Sequence, residues 1–378
     1  MYQPKTLEEI KADSIRRSIE QSHPMEMTRE EDVRHVCDQL QSLDSDHWCQ
    51  VWTEMAQSYE ESGREQERIG DYKEAERNYM LAFTYYRIAW FPLPDTSAKK
   101  TAYRLSVDNY IKAASFFDTP LEKIVIPFAG NEGEGKEVPV YLRKPKDVER
   151  PPILINQPGI GVAKEFLCNV EPSFLERGIA TLAMDMPGTG ESPVTGSTNA
   201  ERLYDTIITY VQSRDDLDGS RIGLMGMSLG GYWTAKAAHT EVNRVAGAIF
   251  WGGGVHYYFQ SDWQLKSRQA QSWLGNVDVV TTRYHAFGIS NLEEWLERAP
   301  SFSLLTQGIL DQPCAPMLLI NGKYDLQCPI EDIYLLLEHG LPKTARIFPG
   351  GHMGMTPQTL PTVVEWMARR LQRASQLK

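Results

Sequence analysis

A chain of 378 residues, 42% hydrophobic and 24% charged, has room for one large globular domain and a smaller one. Its net charge of -11 argues against nucleic acid or an anionic membrane surface as partner, because both need a basic face. No stretch approaches the roughly 18 consecutive apolar residues of a membrane span, and the N-terminus lacks a basic-then-apolar signal pattern. The five cysteines (Cys37, Cys49, Cys168, Cys314 and Cys328) are widely spaced with no C-x-x-C, so thiols in a reducing, cytoplasmic compartment are expected. The eight histidines show no H-x-x-x-H or H-E-x-x-H spacing, and neither metal nor cofactor is expected.

To about residue 120 the chain reads as helices. Thr28-Arg-Glu-Glu31 has the form of a capping box ahead of Val33, Val36 and Leu40. After Trp48, the positions Trp52, Met55, Ala56 and Tyr59 recur at helical spacing, and a longer run follows from Ile69 through Tyr79 and Tyr86 to Trp90. Phe91-Pro-Leu-Pro94 ends it, because proline cannot continue a helix. Another helix is predicted from about Ser97 to Ala114. Gly70 to Ala82 looks like half a tetratricopeptide repeat, but no second copy follows at the roughly 34-residue period, and an array needs about three. Residues 1–120 are read as a helical accessory or cap domain. Its tyrosines and tryptophans suit helix–helix core and could also roof a pocket.

Past residue 121 the period changes. Ile124-Val-Ile126 and Val138-Pro-Val-Tyr-Leu142 flank a glycine-rich loop at 130–135, which predicts a hairpin. Short apolar runs follow at 153–155, 180–184, 222–225, 248–251, 317–320 and 345–348, mostly with helical segments between them. This alternation predicts a mostly parallel sheet with helices on both faces over residues 121–378, binding its ligand beyond the carboxyl ends of the strands. Residues 253 to about 312 interrupt it, a length beyond ordinary connections. They carry Tyr257, Tyr258, Phe259, Trp263, Trp273, Tyr284, Phe287 and Trp295, with helices expected around Ser261–Trp273 and Asn291–Arg298. We read a lid insertion, with Tyr257, Tyr258, Asp262 and Trp263 as candidate substrate-pocket residues.

One stretch gives the sheet a chemistry. The apolar run Ile222-Gly-Leu-Met225 leads into Gly226-Met-Ser228-Leu-Gly230 and then a small-residue helical pattern. G-x-S-x-G in a strand–turn–helix context places the serine on a sharp turn, with the Leu229 N–H facing its Oγ at a helix N-terminus. A serine hydroxyl needs a base, and the base needs a group that fixes its tautomer. The chain order Ser, Asp, His is met by Asp325, past the strand at 317–320, and by His352, past the strand at 345–348. Asp311 precedes its strand and lies at the wrong end. Glu331 and Asp332 fall in the first turn of a helix after Pro329, where the helix dipole favours them. The loop Asn156-Gln-Pro-Gly-Ile-Gly161 suits backbone donors, so the oxyanion N–H groups are assigned to Leu229 and Ile160, Pro158 having none. The glycine-rich loop 185–192 lacks the residues of a phosphate loop and is given a structural, pocket-lining role.

With these residues placed, the chain resembles the α/β-hydrolase superfamily in its G-x-S-x-G elbow, its Asp-x-Pro-Gly-x-Gly-x-Ser loop at 185–192, and its Asp325 and His352 loops. More narrowly it is similar to the hydrolases typified by the fermentation-respiration switch protein. That group includes the 2,6-dihydroxypseudooxynicotine hydrolases and the fungal yellowish-green pigment hydrolases that shorten a polyketide. The narrower likeness rests on Gly226-Met-Ser-Leu-Gly-Gly231, Ala237-Ala238, Ile249-Phe-Trp-Gly-Gly253, Lys164-Glu165 and Ala89-Trp-Phe-Pro92. It implies hydrolysis of a carbon–carbon bond next to a ketone, in an aromatic or polyketide-like substrate of secondary metabolism or aromatic catabolism. Some members of the group use an additional lid acid, and Asp262 is the nearest acid here. The alternative is a carboxylesterase or thioesterase with the same triad, and a non-catalytic binding protein is a third reading, against which the intact triad weighs. The expected partner is a small apolar molecule, with a homodimer admitted.

Overall fold

The computed structural model describes residues 4–270, 278–340 and 342–376. Trp273, one of the candidate lid aromatics, lies outside them. The described residues fall into two compact units, one within Met1–Leu121 and Gln271–Thr282, the other within Glu122–Ala270 and Arg283–Lys378. Among them, no helix is long and apolar enough to cross a membrane.

The first unit carries α1 (Leu7–Glu20), α2 (Glu30–Gln39), α3 (Ser45–Ile69), α4 (Tyr72–Trp90) and α5 (Ser97–Ala114). The apolar run from Ile69 to Trp90 is not one helix. Gly70 closes α3 in the left-handed region at φ 84°, and the Asp71 side chain caps α4 by accepting from the Glu74 N–H. The expected capping box at Thr28 does not form. Arg29 is the N-cap of α2 and gives no side-chain cap bond, because the Thr28 hydroxyl is already engaged with Met25 O and Ser18 Oγ. A reciprocal capping box does form at Thr6 and Glu9, ahead of α1. The aromatic residues are core. Trp52, Tyr79, Tyr85, Tyr86 and Trp90 are buried. Buried phenols need acceptors, and carboxylates supply them: Tyr79 donates to Glu67 at 2.7 Å, Tyr85 to Asp32 at 2.6 Å and Tyr86 to Glu60 at 2.6 Å.

The second unit is built on β1 (Leu121–Pro127), β2 (Glu137–Arg143), β3 (Ile153–Gln157), α6 (Glu171–Leu175), β4 (Ala180–Ala183), α7 (Arg202–Ser213), β5 (Ile222–Met227), α8 (Leu229–Thr240) and β6 (Gly247–Trp251). It continues through α9 (Ser261–Gln269), α10 (Val279–Ala286, within which the two units divide), α11 (Leu292–Arg298), β7 (Met317–Gly322), α12 (Glu331–Glu338), β8 (Lys343–Phe348) and α13 (Thr359–Gln376). The helices expected in this stretch, around 261–273 and 291–298, do not include α10, whose Val279-Val-Thr-Thr282 opening is β-branched and gives a weak helical signal. The strands form one sheet in the order β1-β2-β4-β3-β5-β6-β7-β8. β2 and β4 are antiparallel, whereas β4, β3, β5, β6, β7 and β8 run parallel. The central strands are buried along their whole length, as a sheet covered by helices requires.

Register then decides where chemistry can occur. Gln157 pairs with Gly226, Met227 with Trp251 and Gly322 with Phe348, so the ends of these strands lie along one edge. The loops at 158–161, 228, 252–258, 323–328 and 349–354 all leave from that carboxyl edge.

Candidate active site

Ser228 stands between β5 and α8 at φ 53° and ψ -128°, a conformation that side chains other than glycine rarely adopt. The turn survives because nothing crowds it from within: a Cβ on Gly226 would fall 2.1 Å from Gly230 O and 2.4 Å from the Thr234 hydroxyl. The Ser228 N–H is held by Trp251 O at 2.7 Å. Its Oγ lies 2.8 Å from His352 Nε2, and His352 Nδ1 lies 2.7 Å from Asp325 Oδ2. The other Asp325 oxygen accepts from the N–H groups of Gln327, at 2.7 Å, and Cys328, at 3.1 Å. With Nδ1–H donating to a carboxylate, Nε2 is left to accept from the Ser228 hydroxyl. Burial pushes the Asp325 carboxyl up, but electrostatic attraction to the His352 ring and the bonds from His352, Gln327 and Cys328 outweigh it and hold it below the usual range.

Two neighbours fix this geometry. Asn321, at the end of β7, accepts from the Met353 N–H at 3.0 Å, and the Trp251 indole donates to Met353 O at 2.8 Å. Both sides of the residue after His352 are thereby fastened to the sheet. The loop after β3 passes directly over Ser228, where a Cβ on Gly159 would stand 2.6 Å from the Ser228 Cβ. No protein hydrogen bond among the described residues uses the N–H of Leu229 or Ile160. The same loop continues to Lys164, buried among Asp185 at 2.9 Å, Glu191 at 2.5 Å and Glu165 at 3.5 Å, and its backbone N–H also donates to Asp185 at 2.8 Å. The 185–192 loop therefore buttresses the 158–164 loop.

Asp311 is exposed, 3.6 Å from His339. Asp332 occupies the first turn of α12, as its position after Pro329 implies, but it is wholly buried rather than solvated. Its carboxylate accepts from the N–H groups of His256, Tyr257 and Tyr258 at 2.9, 2.9 and 3.0 Å and so fixes the chain leaving β6. Tyr257 is partly exposed, whereas Tyr258 is core, with the Arg283 guanidinium over its ring at 4.5 Å. Asp262 is exposed, and its carboxylate accepts only from the adjacent Trp263 N–H among the described residues. The Trp263 indole donates to Gln327 O at 3.1 Å, in the 323–328 loop. Asp332 and Arg283 escaped the sequence reading. Charged residues in short helices read as solvated, and only a predicted contact with the chain after β6, for Asp332, or with the 323–328 loop, for Arg283, would have marked them.

Among the described residues, one set of metal-ligand type groups converges: Asp325, Cys328 and His352, with ligand atoms within 4.8 Å of one another. Their lone pairs are committed. Asp325 bonds to His352 and to two N–H groups, and burial raises the Cys328 thiol well above its usual range, leaving a neutral and poor ligand.

A mostly parallel sheet with a strained serine elbow, and with Asp and His loops at its carboxyl edge, defines the α/β-hydrolase class. Within that class the chain belongs to the FrsA-like esterase family, whose pattern matches residues 6–372. It is 26% identical over 302 residues to the 2,6-dihydropseudooxynicotine hydrolase of Paenarthrobacter nicotinovorans, covering 77% of this chain and 74% of that one. It is 27% identical over 297 residues to Esterase FrsA of Photorhabdus laumondii, covering 77% and 68%. The solved structure of AbyA5 shares the fold with a TM-score of 0.73 at 20% identity, over 98% of this chain and 95% of that one.

Proposed function

We propose that this chain is a serine-type hydrolase that splits a carbon–carbon bond next to a ketone. The observation that carries the serine mechanism, common to this reading and to the second one below, is the unbroken hydrogen-bond chain from Ser228 through His352 to Asp325. His352 takes the Ser228 proton as Oγ attacks the carbonyl carbon. The N–H groups of Leu229 and Ile160 receive the oxyanion. Collapse of the adduct breaks the adjoining carbon–carbon bond, and the departing carbanion takes its proton from the His352 imidazolium. Water, deprotonated by His352, then releases the acyl group from Ser228 as a carboxylic acid. Asp325 holds the imidazole in the tautomer that both steps need.

A flat aromatic or polyketide-like diketone of secondary metabolism or aromatic catabolism is the proposed substrate class, met in the cytoplasm. The relative named for a pseudooxynicotine supports it. Residues 1–120 are proposed as an accessory domain and residues 253–312 as a lid. A second reading, hydrolysis of a bulky carboxylic ester or thioester by the same residues, is favoured by the family's esterase description. Mass spectrometry of products from 1,3-diketones, aryl ketones and simple esters separates the two. Acid and protonated-carbanion products from a ketone, absent in Ser228→Ala, are expected. Turnover of esters alone would move the assignment to the second reading.

A further inference from the structure

Arg283 is 1% exposed, yet none of its hydrogen bonds among the described residues goes to a carboxylate. Nη1 donates to Gln264 Oε1 at 2.9 Å and to Ser267 Oγ at 2.7 Å, and Nη2 donates to Gln327 O at 2.8 Å. Among the described residues, the buried Nε has no acceptor. A buried guanidinium needs an anion, directly or through something polarisable. Here the intermediary is a single peptide group. The carbonyl of Gln327 and the N–H of Cys328 belong to the same amide, and that N–H donates to Asp325 Oδ1 at 3.1 Å. Guanidinium, peptide and carboxylate thus form one chain, in which each bond strengthens the next by roughly 10–30%. Trp263, on α9, donates to the same carbonyl at 3.1 Å.

We infer that Arg283 is a positioning residue for Asp325, acting through the Gln327–Cys328 peptide, and that it ties α9 and α10 to the readiness of the Ser228–His352 pair. The inference rests on the roles proposed above for Ser228, His352 and Asp325. With the peptide released, Asp325 loses one of its two backbone donors, and its carboxylate is free to rotate away from the His352 Nδ1–H. Neither Arg283 nor Trp263 is assigned contact with the reacting atoms.

The test uses the full-length protein with Arg283→Met, Arg283→Lys, Trp263→Phe and, as control, Ser228→Ala. Three quantities are read: kcat and KM on p-nitrophenyl acetate, thermal melting, and the low-field proton resonance of the His352 Nδ1–H bond to Asp325. Arg283→Met is expected to lower kcat about 10- to 100-fold, the effect of a small misplacement, with KM little changed. Its low-field resonance should weaken or move upfield, and Arg283→Lys should restore most of both. Trp263→Phe removes one neutral donor and should lower kcat about 2- to 10-fold. Parental kcat and an unmoved resonance in a folded Arg283→Met protein overturn the inference, as does a loss confined to KM. Should Arg283→Met fail to fold, parental kcat and an unmoved resonance in a folded Trp263→Phe protein, which lacks the second donor to the same carbonyl, overturn it. Turnover that survives in Ser228→Ala would instead sink the serine mechanism, and because the resonance does not depend on Ser228, it would still decide the question about Arg283.

Discussion

Gly159 and Ser228 approach so closely that a Cβ on the glycine would stand 2.6 Å from the serine Cβ and 3.1 Å from its Oγ. Neither partner is the far end of a flexible chain, so Gly159→Ala must displace either the 158–161 loop or Ser228. A drop in kcat of about 10- to 100-fold is expected, with cooperative melting retained. Steady-state kinetics beside calorimetry checks it. Parental kcat in the alanine variant would mean that the loop yields without disturbing Ser228.

Ser228→Ala removes a hydroxyl whose side-chain bond is to His352. Turnover should fall at least about 10⁴-fold, as triad losses do, while stability changes little. Rate and melting temperature are measured on the same preparation. A folded variant with undiminished turnover rules out the serine mechanism.

Asp325→Asn should lower kcat by about 10⁴-fold, because an amide no longer selects the His352 tautomer that accepts from serine. Asp311→Asn, at an exposed carboxylate, should change stability by no more than about 0.5 kcal/mol and leave kcat near parental. Kinetics of the two variants side by side decides the matter. An essential Asp311 would mean that the site had been placed at the wrong strand ends.

Asp332 supplies a pH signature. Burial raises its carboxyl to about 6, against the N–H groups of Tyr258, Tyr257, His256 and Val255, which lower it. The folded protein therefore holds this proton where an ordinary aspartate, near 3.9, has lost it. Between about pH 4 and 6 the native state binds more protons than the unfolded chain, so this group makes stability fall as pH rises, by at most roughly 3 kcal/mol. Asp332→Asn cannot titrate and should flatten that part of the stability–pH curve. Denaturant unfolding of parent and variant at pH 4.5 and 6.5 tests this, and equal slopes would show that the carboxyl does not titrate in the window.

What could be read from the sequence was whatever register dictates. Ser228, Asp325 and His352 each follow an apolar run, and parallel strands that end in step bring such residues together. Burial could not be read in the same way. Asp332 and Arg283 look solvated in a linear sequence, and only the packing of α10 and α12 turns them inward. Local signals also misled where tertiary partners were stronger. Thr28 had the sequence of a cap, but its hydroxyl found Met25 O and Ser18 first. The β-branched opening of α10 hid a helix for a related reason, since propensity is a weak guide where packing decides.

Ser228 and His352 are separated by 124 positions, and His352 leaves β8, which forms one edge of the sheet beside β7. A contact of that span is slow to close, whereas the antiparallel helices near the N-terminus rest on local contacts. Refolding should therefore recover far-UV ellipticity well before it recovers any Ser228-dependent turnover. A lag between the two signals would measure how late the Ser228–His352 contact closes, so turnover itself reads out the assembly of the sheet's carboxyl edge.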